Sequence, residues 1–132
     1  MKFGLAFAVS GAALFAALRL LVGNAPDVPI ADPAVAERGA RVSNKCTACH
    51  ALEARRHGVG PYLVGLLGRP AGSLTDFNYS TAMKESGVTW DKSNLKQFLM
   101  APQEFIKGTN MGISPLTESE AEELISHLES LQ

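Results

Sequence analysis

Cys46-Thr47-Ala48-Cys49-His50 is the stretch that decides the fold of this 132-residue chain. It holds the only two cysteines of the sequence, and a histidine directly follows the second. The C-x-x-C-H pattern is that of covalent haem attachment, in which each thiol forms a thioether with one vinyl group of the porphyrin. The histidine is then placed to bind the iron as the proximal axial ligand. We therefore predict one covalent haem c, attached to Cys46 and Cys49 and ligated by His50.

Two other uses of a C-x-x-C pair fit this sequence less well. A structural zinc site of this type needs a second pair of ligands, and the chain has no further cysteine. A redox dithiol of the thioredoxin type lies in a β-α-β unit, whereas no period-2 strand of useful length is visible. The globular part has about 100 residues, so a large covalent cofactor would fill much of its core.

The first 23 residues differ in composition from the rest of the chain. Residues 3–22 are nearly all apolar, with Lys2 before them and Arg19 near their far end. About twenty helical residues span the hydrocarbon core of a bilayer, and a positive charge on the short N-terminal side favours a cytoplasmic N-terminus. The alternative is a signal peptide cleaved after Gly23-Asn24-Ala25, although Pro26 should hinder cleavage there. We predict an uncleaved anchor in the cytoplasmic membrane, with a soluble periplasmic protein as the alternative.

Residues 24–33 read as a proline-rich linker, and residues 34–132 as one globular domain on the periplasmic side. A linker of that length reaches about 30 Å, because a proline-stiffened chain extends by about 3.1 Å per residue. Among the 12 basic residues, Lys2 and Arg19 precede the linker, whereas all 13 acids come at Asp27 or later. The domain is therefore net acidic, which gives no basis for nucleic-acid binding.

Capping residues and apolar periodicity predict an all-α domain. Asp32 and Pro33 begin a helix that runs to the cysteine motif, and a short helix fits residues 80–86, followed by Gly87. Asp91 caps a third helix, which Pro102 ends. The last helix starts at a capping box, Thr117 with Glu120. This last helix has five acids, which we expect on a solvated face. The long loop over residues 53–78 is expected to pack on the cofactor, because a loop of this length in a small domain needs something to pack on.

The second axial ligand must lie far from His50 in the sequence. His57 is too near to reach the opposite face easily, and His127 lies among the core positions of the last helix. Met83 and Met100 fall within predicted helices. Met111 lies in an irregular, glycine-flanked loop over residues 106–113, which can fold over a haem face and present its thioether. We therefore predict Met111 as the distal ligand.

From about Val35 to Gln132 the sequence resembles the mitochondrial and alphaproteobacterial (class I) type of cytochrome c. Besides the cysteine motif, the resemblance rests on Gly60-Pro61-Tyr62-Leu63-Val64-Gly65-Leu66-Leu67-Gly68-Arg69, Phe77-Asn78-Tyr79-Ser80, Gly87-Val88-Thr89-Trp90 and Gly108-Thr109-Asn110-Met111. It implies an all-α fold wrapped round haem c, with His50 and Met111 as axial ligands. It further implies hydrogen bonds near the propionates from Arg69, Tyr79 and Trp90, a Pro61 carbonyl for the His50 N–H, support of Met111 by Thr109, and a loop-tying role for His57.

Two departures from that family matter for function. Lys107 stands where the family has a proline before the Gly-Thr of the methionine loop, which predicts a looser loop. Gln103, Glu104 and Asn110 stand where lysines usually ring the haem edge, whereas Lys45 remains. The electrostatics of partner docking should therefore differ from those of the family.

Ligation of the iron by protein on both sides favours one-electron transfer over catalysis, because it leaves no coordination position for a substrate. The expected role is that of a respiratory-chain carrier between a quinol–cytochrome c oxidoreductase and a terminal cytochrome oxidase or another periplasmic acceptor. Two alternatives stay open at this point. One is a fixed haem subunit of a larger membrane redox complex, and the other is a haem-based sensor in which Met111 dissociates.

Overall fold

The computed structural model describes residues 33–132, so the predicted anchor, nearly all of the linker and the Asp32 cap lie outside the described residues. The described part contains five α-helices: α1 (Pro33–Thr47), α2 (Thr81–Glu85), α3 (Lys92–Met100), α4 (Pro102–Phe105) and α5 (Glu118–Ser130). In this part there is no β-strand, and one isolated bridge joins Pro70 to Thr89. The prediction of an all-α domain is confirmed. None of the helices described is long and apolar enough to cross a membrane.

The helix starts follow the local chemistry of their caps. The Ser80 side chain accepts a hydrogen bond from the Met83 N–H at 3.1 Å, which starts α2. The Asp91 side chain accepts from the Asn94 N–H at 2.8 Å, and Asn94 Oδ1 accepts from the Asp91 N–H at 2.9 Å, so α3 begins with a full capping box. After α2, Gly87 has φ +67, a left-handed conformation that glycine adopts without strain.

Pro102 has a second role that the sequence analysis missed. As predicted, the third helix does not continue through it, and α3 ends at Met100. Pro102 is also the first residue of α4, a single turn that was not predicted. Proline suits this position because the first N–H groups of a helix have no intrahelical acceptor. The short helix carries the chain from α3 into the loop that contains Met111.

The core forms where α1 and α3 pack on α5. Leu124 of α5 is 1% exposed and Leu128 is 2% exposed. The α1–α5 contact depends on Gly39, because a Cβ at this position would overlap the carbonyl oxygen of Glu123 and lie 2.7 Å from the Cβ of His127. The two helices therefore approach more closely than any larger residue would allow.

The prediction that the acids of the last helix form a solvated face is confirmed for Glu118, Glu122 and Glu129, which are exposed, whereas Glu120 and Glu123 are half-buried. Each of these five acids forms an ion pair with a basic residue of α1 or α3. The pairs are Arg38–Glu123 at 2.7 Å, Lys45–Glu120 at 2.5 Å, Lys92–Glu129 at 2.6 Å, and Lys96 with Glu118 at 3.0 Å and Glu122 at 3.1 Å. Glu123 is only 18% exposed at its side chain. The acids thus link α5 to both neighbouring helices, although exposed pairs each contribute about 0–1 kcal/mol.

Replacing Glu120 by glutamine should reduce the acid sensitivity of the fold. The hydrogen bond from Lys45 lowers the pKa of Glu120 below its ordinary value of 4.5, with a second contribution from the Thr117 N–H. A carboxyl whose pKa is lower in the folded than in the unfolded chain stabilises the fold above the unfolded value, and that contribution is lost as pH falls through the lowered pKa.

We therefore expect Glu120→Gln to lower the thermal midpoint at pH 7 and to differ less from the wild type below pH 4. Circular dichroism melting at both pH values measures this. Glu53→Gln is the matched control, because Glu53 is exposed and forms no ion pair in the described residues. An equal difference between Glu120→Gln and wild type at the two pH values would contradict the expectation.

Candidate cofactor-binding site

One cavity in the described domain is lined by residues of α1, α2, α3 and α5 and of the loops that connect the helices. All nine residues that the sequence predicted for the site line it: Cys46, Cys49, His50, Pro61, Arg69, Tyr79, Trp90, Thr109 and Met111. Its walls are otherwise mainly apolar and include Leu66, Leu95, Phe98, Leu99 and Leu116, all buried. The structure thus brings the predicted residues together, while their individual roles stay predictions.

The cysteine motif forms a tight turn at the end of α1. The helix runs through Cys46, and the N–H groups of Cys49 and His50 both bond to the Cys46 carbonyl, at 3.0 and 2.8 Å. This turn brings both sulfurs and the imidazole to the same cavity. The two cysteines do not form a disulfide with each other, and burial raises the pKa of the Cys46 thiol. Two cysteine sulfurs beside an imidazole fit the attachment of one haem.

His50 is held in the form that binds a metal. Its Nδ1 lies 2.5 Å from the carbonyl oxygen of Pro61. Because a carbonyl only accepts, Nδ1 carries the proton and Nε2 keeps its lone pair. Burial lowers the pKa of His50, and the bond to Pro61 opposes this shift only in part, so the ring is neutral. This partnership is the usual way in which a protein orients a metal-ligating histidine.

Gly60 makes room for that imidazole. A Cβ on Gly60 would overlap the His50 ring, with 2.7 Å to Nδ1 and 2.8 Å to Nε2. Its N–H also bonds to the Cys49 carbonyl at 2.8 Å, which ties this loop to the cysteine turn. The role of Gly60 could not be predicted from its motif, because only the packed imidazole ring shows why glycine is needed there.

A second group of polar residues, Arg69, Tyr79 and Trp90, lines the same cavity. Arg69 donates from Nη2 to the Tyr62 carbonyl at 2.8 Å and from Nη1 to the Val64 carbonyl at 3.2 Å. The backbone N–H of Trp90 donates to the backbone carbonyl of Arg69 at 3.0 Å, and Trp90 is 6% exposed. Burial raises the pKa of the Tyr79 hydroxyl, an effect that the nearby Arg69 opposes. A fixed guanidinium beside tyrosine and tryptophan donors suits the carboxylates of a bound porphyrin.

His57 lies between two loops, as the resemblance implied. Its Nδ1 accepts from the Tyr62 N–H at 3.4 Å, and its ring stacks on that of Tyr62 with centroids 5.1 Å apart. On the other loop, the Phe77 ring is 5.2 Å away and Asp76 Oδ1 lies 3.0 Å from Nε2. That last contact is an ion-pair distance without hydrogen-bond alignment, so the ring packing is the better-formed link.

Met111 lies on a loop that is bonded at several points. Thr109 is 7% exposed, and its hydroxyl oxygen accepts from the Met111 N–H at 3.2 Å. Gly108 has φ +94, which allows the chain to turn before Thr109. Of the other ligand candidates, Met83 also lines the cavity, whereas Met100, His57 and His127 are not among its lining residues.

Two residues of this region were missed by sequence reasoning. Val59 is 81% exposed although it is apolar, and it lines the cavity, so part of the cavity mouth is hydrophobic. Gln103 donates from its side-chain amide to the carbonyls of Thr109 and Met111. In the sequence Gln103 stands out only as the replacement of a lysine, because a hydrogen bond between α4 and the following loop cannot be predicted from spacing.

The comparison with known sequences agrees with the chemistry of the cavity. The sequence profile of the cytochrome c family matches residues 36–132. The chain belongs to the cytochrome c family. Over 94 residues it is 42% identical to cytochrome c2 of Rhodoplanes tepidamans, an alignment that covers 70% of this chain and 88% of that protein.

Two further relatives place this cytochrome c in its family. It is 46% identical over 72 residues to cytochrome c-550 of Bradyrhizobium diazoefficiens, covering 54% of this chain and only 53% of that relative. The solved structure of cytochrome cH from Methylobacterium extorquens superimposes with a TM-score of 0.68 at 35% identity, covering 72% of this chain and 97% of that one. This is a class I cytochrome c, with one covalently bound haem c, and it is an electron-transfer protein rather than an enzyme.

Proposed function

We propose that this cytochrome c carries single electrons with His50 and Met111 as the two axial ligands. One observation carries the proposal: an oriented imidazole and the thioether of Met111 line the same apolar cavity as the two cysteines of the haem-attachment motif. When bound, the haem iron supplies a one-electron couple between the ferric and ferrous states. Two protein ligands leave no position for a substrate, which agrees with a carrier.

The residues of the cavity favour the reduced state. The Met111 thioether is a soft ligand that stabilises ferrous iron and raises the potential. The buried leucines and Phe98 keep water away from the site, and a dry pocket disfavours the extra positive charge of the ferric form. The Pro61 carbonyl keeps His50 oriented, so this ligand does not need to rearrange when the iron changes its oxidation state.

The proposed partners are a quinol–cytochrome c oxidoreductase as donor and a terminal cytochrome oxidase, or another periplasmic redox complex, as acceptor. In this proposal residues 1–23 anchor the chain in the cytoplasmic membrane, residues 24–33 form a short linker, and residues 34–132 form the haem domain on the periplasmic side. The support is the apolar stretch at residues 3–22, which is long enough to span a bilayer. A reach of about 30 Å keeps the domain near membrane-bound partners.

Charge steering should contribute little to docking. Three of the usual lysine positions are occupied by Gln103, Glu104 and Asn110. At a position where the family's lysine is retained, Lys45 is paired with Glu120 at 2.5 Å, which reduces its attraction for a distant acidic partner. The apolar side chain of Val59 at the cavity mouth offers a contact that salt does not screen. A tether would compensate for weak steering by raising the effective concentration of the domain.

We predict that oxidation of this cytochrome c in native membranes depends only weakly on ionic strength. Association that is steered by charges slows steeply as salt screens them, whereas a tethered encounter does not. Stopped-flow oxidation at two salt concentrations measures this, with the full chain compared with a chain that lacks residues 1–25. The shortened chain should react far more slowly and should wash out of the membranes with carbonate. A steep salt dependence of the full chain, or full activity of the shortened chain, would contradict the tether and the proposed docking.

A further inference from the structure

The loop that carries Met111 lacks the rigidity that the family pattern supplies. Lys107 replaces the family's proline, and it is exposed. Proline fixes one backbone dihedral and so reduces the freedom of the open loop, whereas lysine leaves that freedom in place. Gly108, with φ +94, adds further freedom next to it. Something other than local stiffness must keep Met111 in position.

Gln103 provides a connection from outside the loop. Its side-chain Nε2 lies 2.9 Å from the carbonyl oxygen of Thr109 and 3.4 Å from that of Met111. An amide NH2 group has two hydrogens, so it can serve both carbonyls at once. The Met111 N–H is bonded to the Thr109 hydroxyl at 3.2 Å, so the backbone of Met111 is held at both its N–H and its carbonyl.

The helix that carries Gln103 is itself well anchored. α4 begins at the buried Pro102 and is followed by Ile106, which is 5% exposed. The Phe105 ring packs edge-on against Phe98 of α3, with centroids 6.2 Å apart. The Thr109 N–H bonds to the Ile106 carbonyl at 3.0 Å, so the loop starts from a fixed point. Gln103 therefore ties the loop to a rigid part of the core.

We propose that Gln103 is a positioning residue that holds the Met111 loop closed over the iron. In this chain its two hydrogen bonds perform the task that a proline at position 107 would otherwise perform. The proposal rests on the proposed ligation by Met111. It concerns how often the loop opens, and therefore how readily an external ligand reaches the ferric iron.

We call the two hydrogen bonds from Gln103 to the loop the clamp. Imidazole binding to the ferric full-length holoprotein tests whether the clamp holds the loop closed. Imidazole reaches the iron only when Met111 has left, so its apparent affinity reports the fraction of open loop. Losing two hydrogen bonds from a partly exposed site should raise the open fraction, and hence the apparent affinity, about tenfold in Gln103→Ala. Gln103→Glu, which keeps the size but removes the donors, should bind imidazole at least as tightly as Gln103→Ala.

Gln97→Ala is the matched control, because Gln97 is an exposed glutamine on α3 whose side chain is not in the cavity. Its imidazole affinity should stay within twofold of the wild type. Thermal midpoints of the three variants show whether a change in affinity merely follows general destabilisation.

Two results would overturn the clamp, and they are distinguishable. If the wild type shows the long-wavelength ferric band of methionine ligation and Gln103→Ala binds imidazole no more tightly, the clamp alone is wrong. If the wild type lacks that band, the ligation by Met111 and the clamp fall together. A gain in affinity by Gln97→Ala equal to that of Gln103→Ala would also overturn the clamp.

Discussion

Met111→Ala should abolish the long-wavelength absorption band of the ferric protein and lower its reduction potential. The band reports a bond between sulfur and ferric iron, and alanine has no donor atom. The fall in potential should be on the order of 0.1 V or more, since the identity of axial ligands sets haem potentials over about 0.8 V. Visible spectroscopy and a potentiometric titration of the purified holoprotein measure both effects.

Met83→Ala is the demanding control for this experiment. Met83 lies on α2 and lines the same cavity as Met111, so its position alone does not exclude it as a ligand. Met100 of α3 is not among the lining residues and serves as a second control. We expect both variants to keep the band and a potential close to that of the wild type. A band that persists in Met111→Ala and disappears in Met83→Ala would transfer the ligand role to α2.

Met111→Ala also distinguishes an electron carrier from a ligand-binding sensor. Removal of Met111 opens one coordination position, so Met111→Ala should bind carbon monoxide in the ferrous state. The wild type should not, because the Thr109 and Gln103 bonds hold the loop in place. Tight binding of carbon monoxide by the wild type would favour the sensor.

The features that sequence reasoning found are those that depend on near neighbours in the chain. The capping boxes of α3 and α5 begin at Asp91 and Thr117, and each is completed three residues later, by Asn94 and Glu120. The starts of both helices therefore depend only on residues close in the sequence. The turn Cys46–His50 is local in the same sense. The convergence of Arg69, Tyr79, Trp90 and Thr109 on one cavity was available only through resemblance to a family. No periodicity in the sequence brings these four residues together.

What was missed depends on which element lies opposite which. Periodicity identified the polar face of α5, but the cations that meet it come from α1 and α3, and Lys45 and Glu120 are 75 residues apart. For the same reason the ion pairs of these acids were not predicted. The sequence showed Gln103 only as the replacement of a positively charged lysine. Its two hydrogen-bond partners are carbonyls in the loop after α4, and the path of that loop depends on how α4 packs.

Gly39 is a further case in which tertiary contact decides what a residue must be. Within a helix, glycine is about 1 kcal/mol less favourable than alanine, so local propensity alone predicts that Gly39→Ala stabilises the protein. The structure predicts the reverse, because the new methyl group would overlap the Glu123 carbonyl oxygen on the facing helix. A backbone atom cannot move aside by changing a rotamer. The helices must separate, and the Arg38–Glu123 pair at 2.7 Å lies at the same crossing.

We therefore expect Gly39→Ala to destabilise the holoprotein by about 2–3 kcal/mol, within the usual range for overpacking a core. For a domain of this size the thermal midpoint should fall by roughly 10–20 °C. Asn44→Ala is the control, since Asn44 is an exposed residue of the same helix and should show only the gain in helix propensity. Far-UV circular dichroism melting of both variants measures the difference. If Gly39→Ala melts at or above the wild-type temperature, α1 and α5 do not approach each other as closely as described, and the contact that supports the cysteine turn must lie elsewhere.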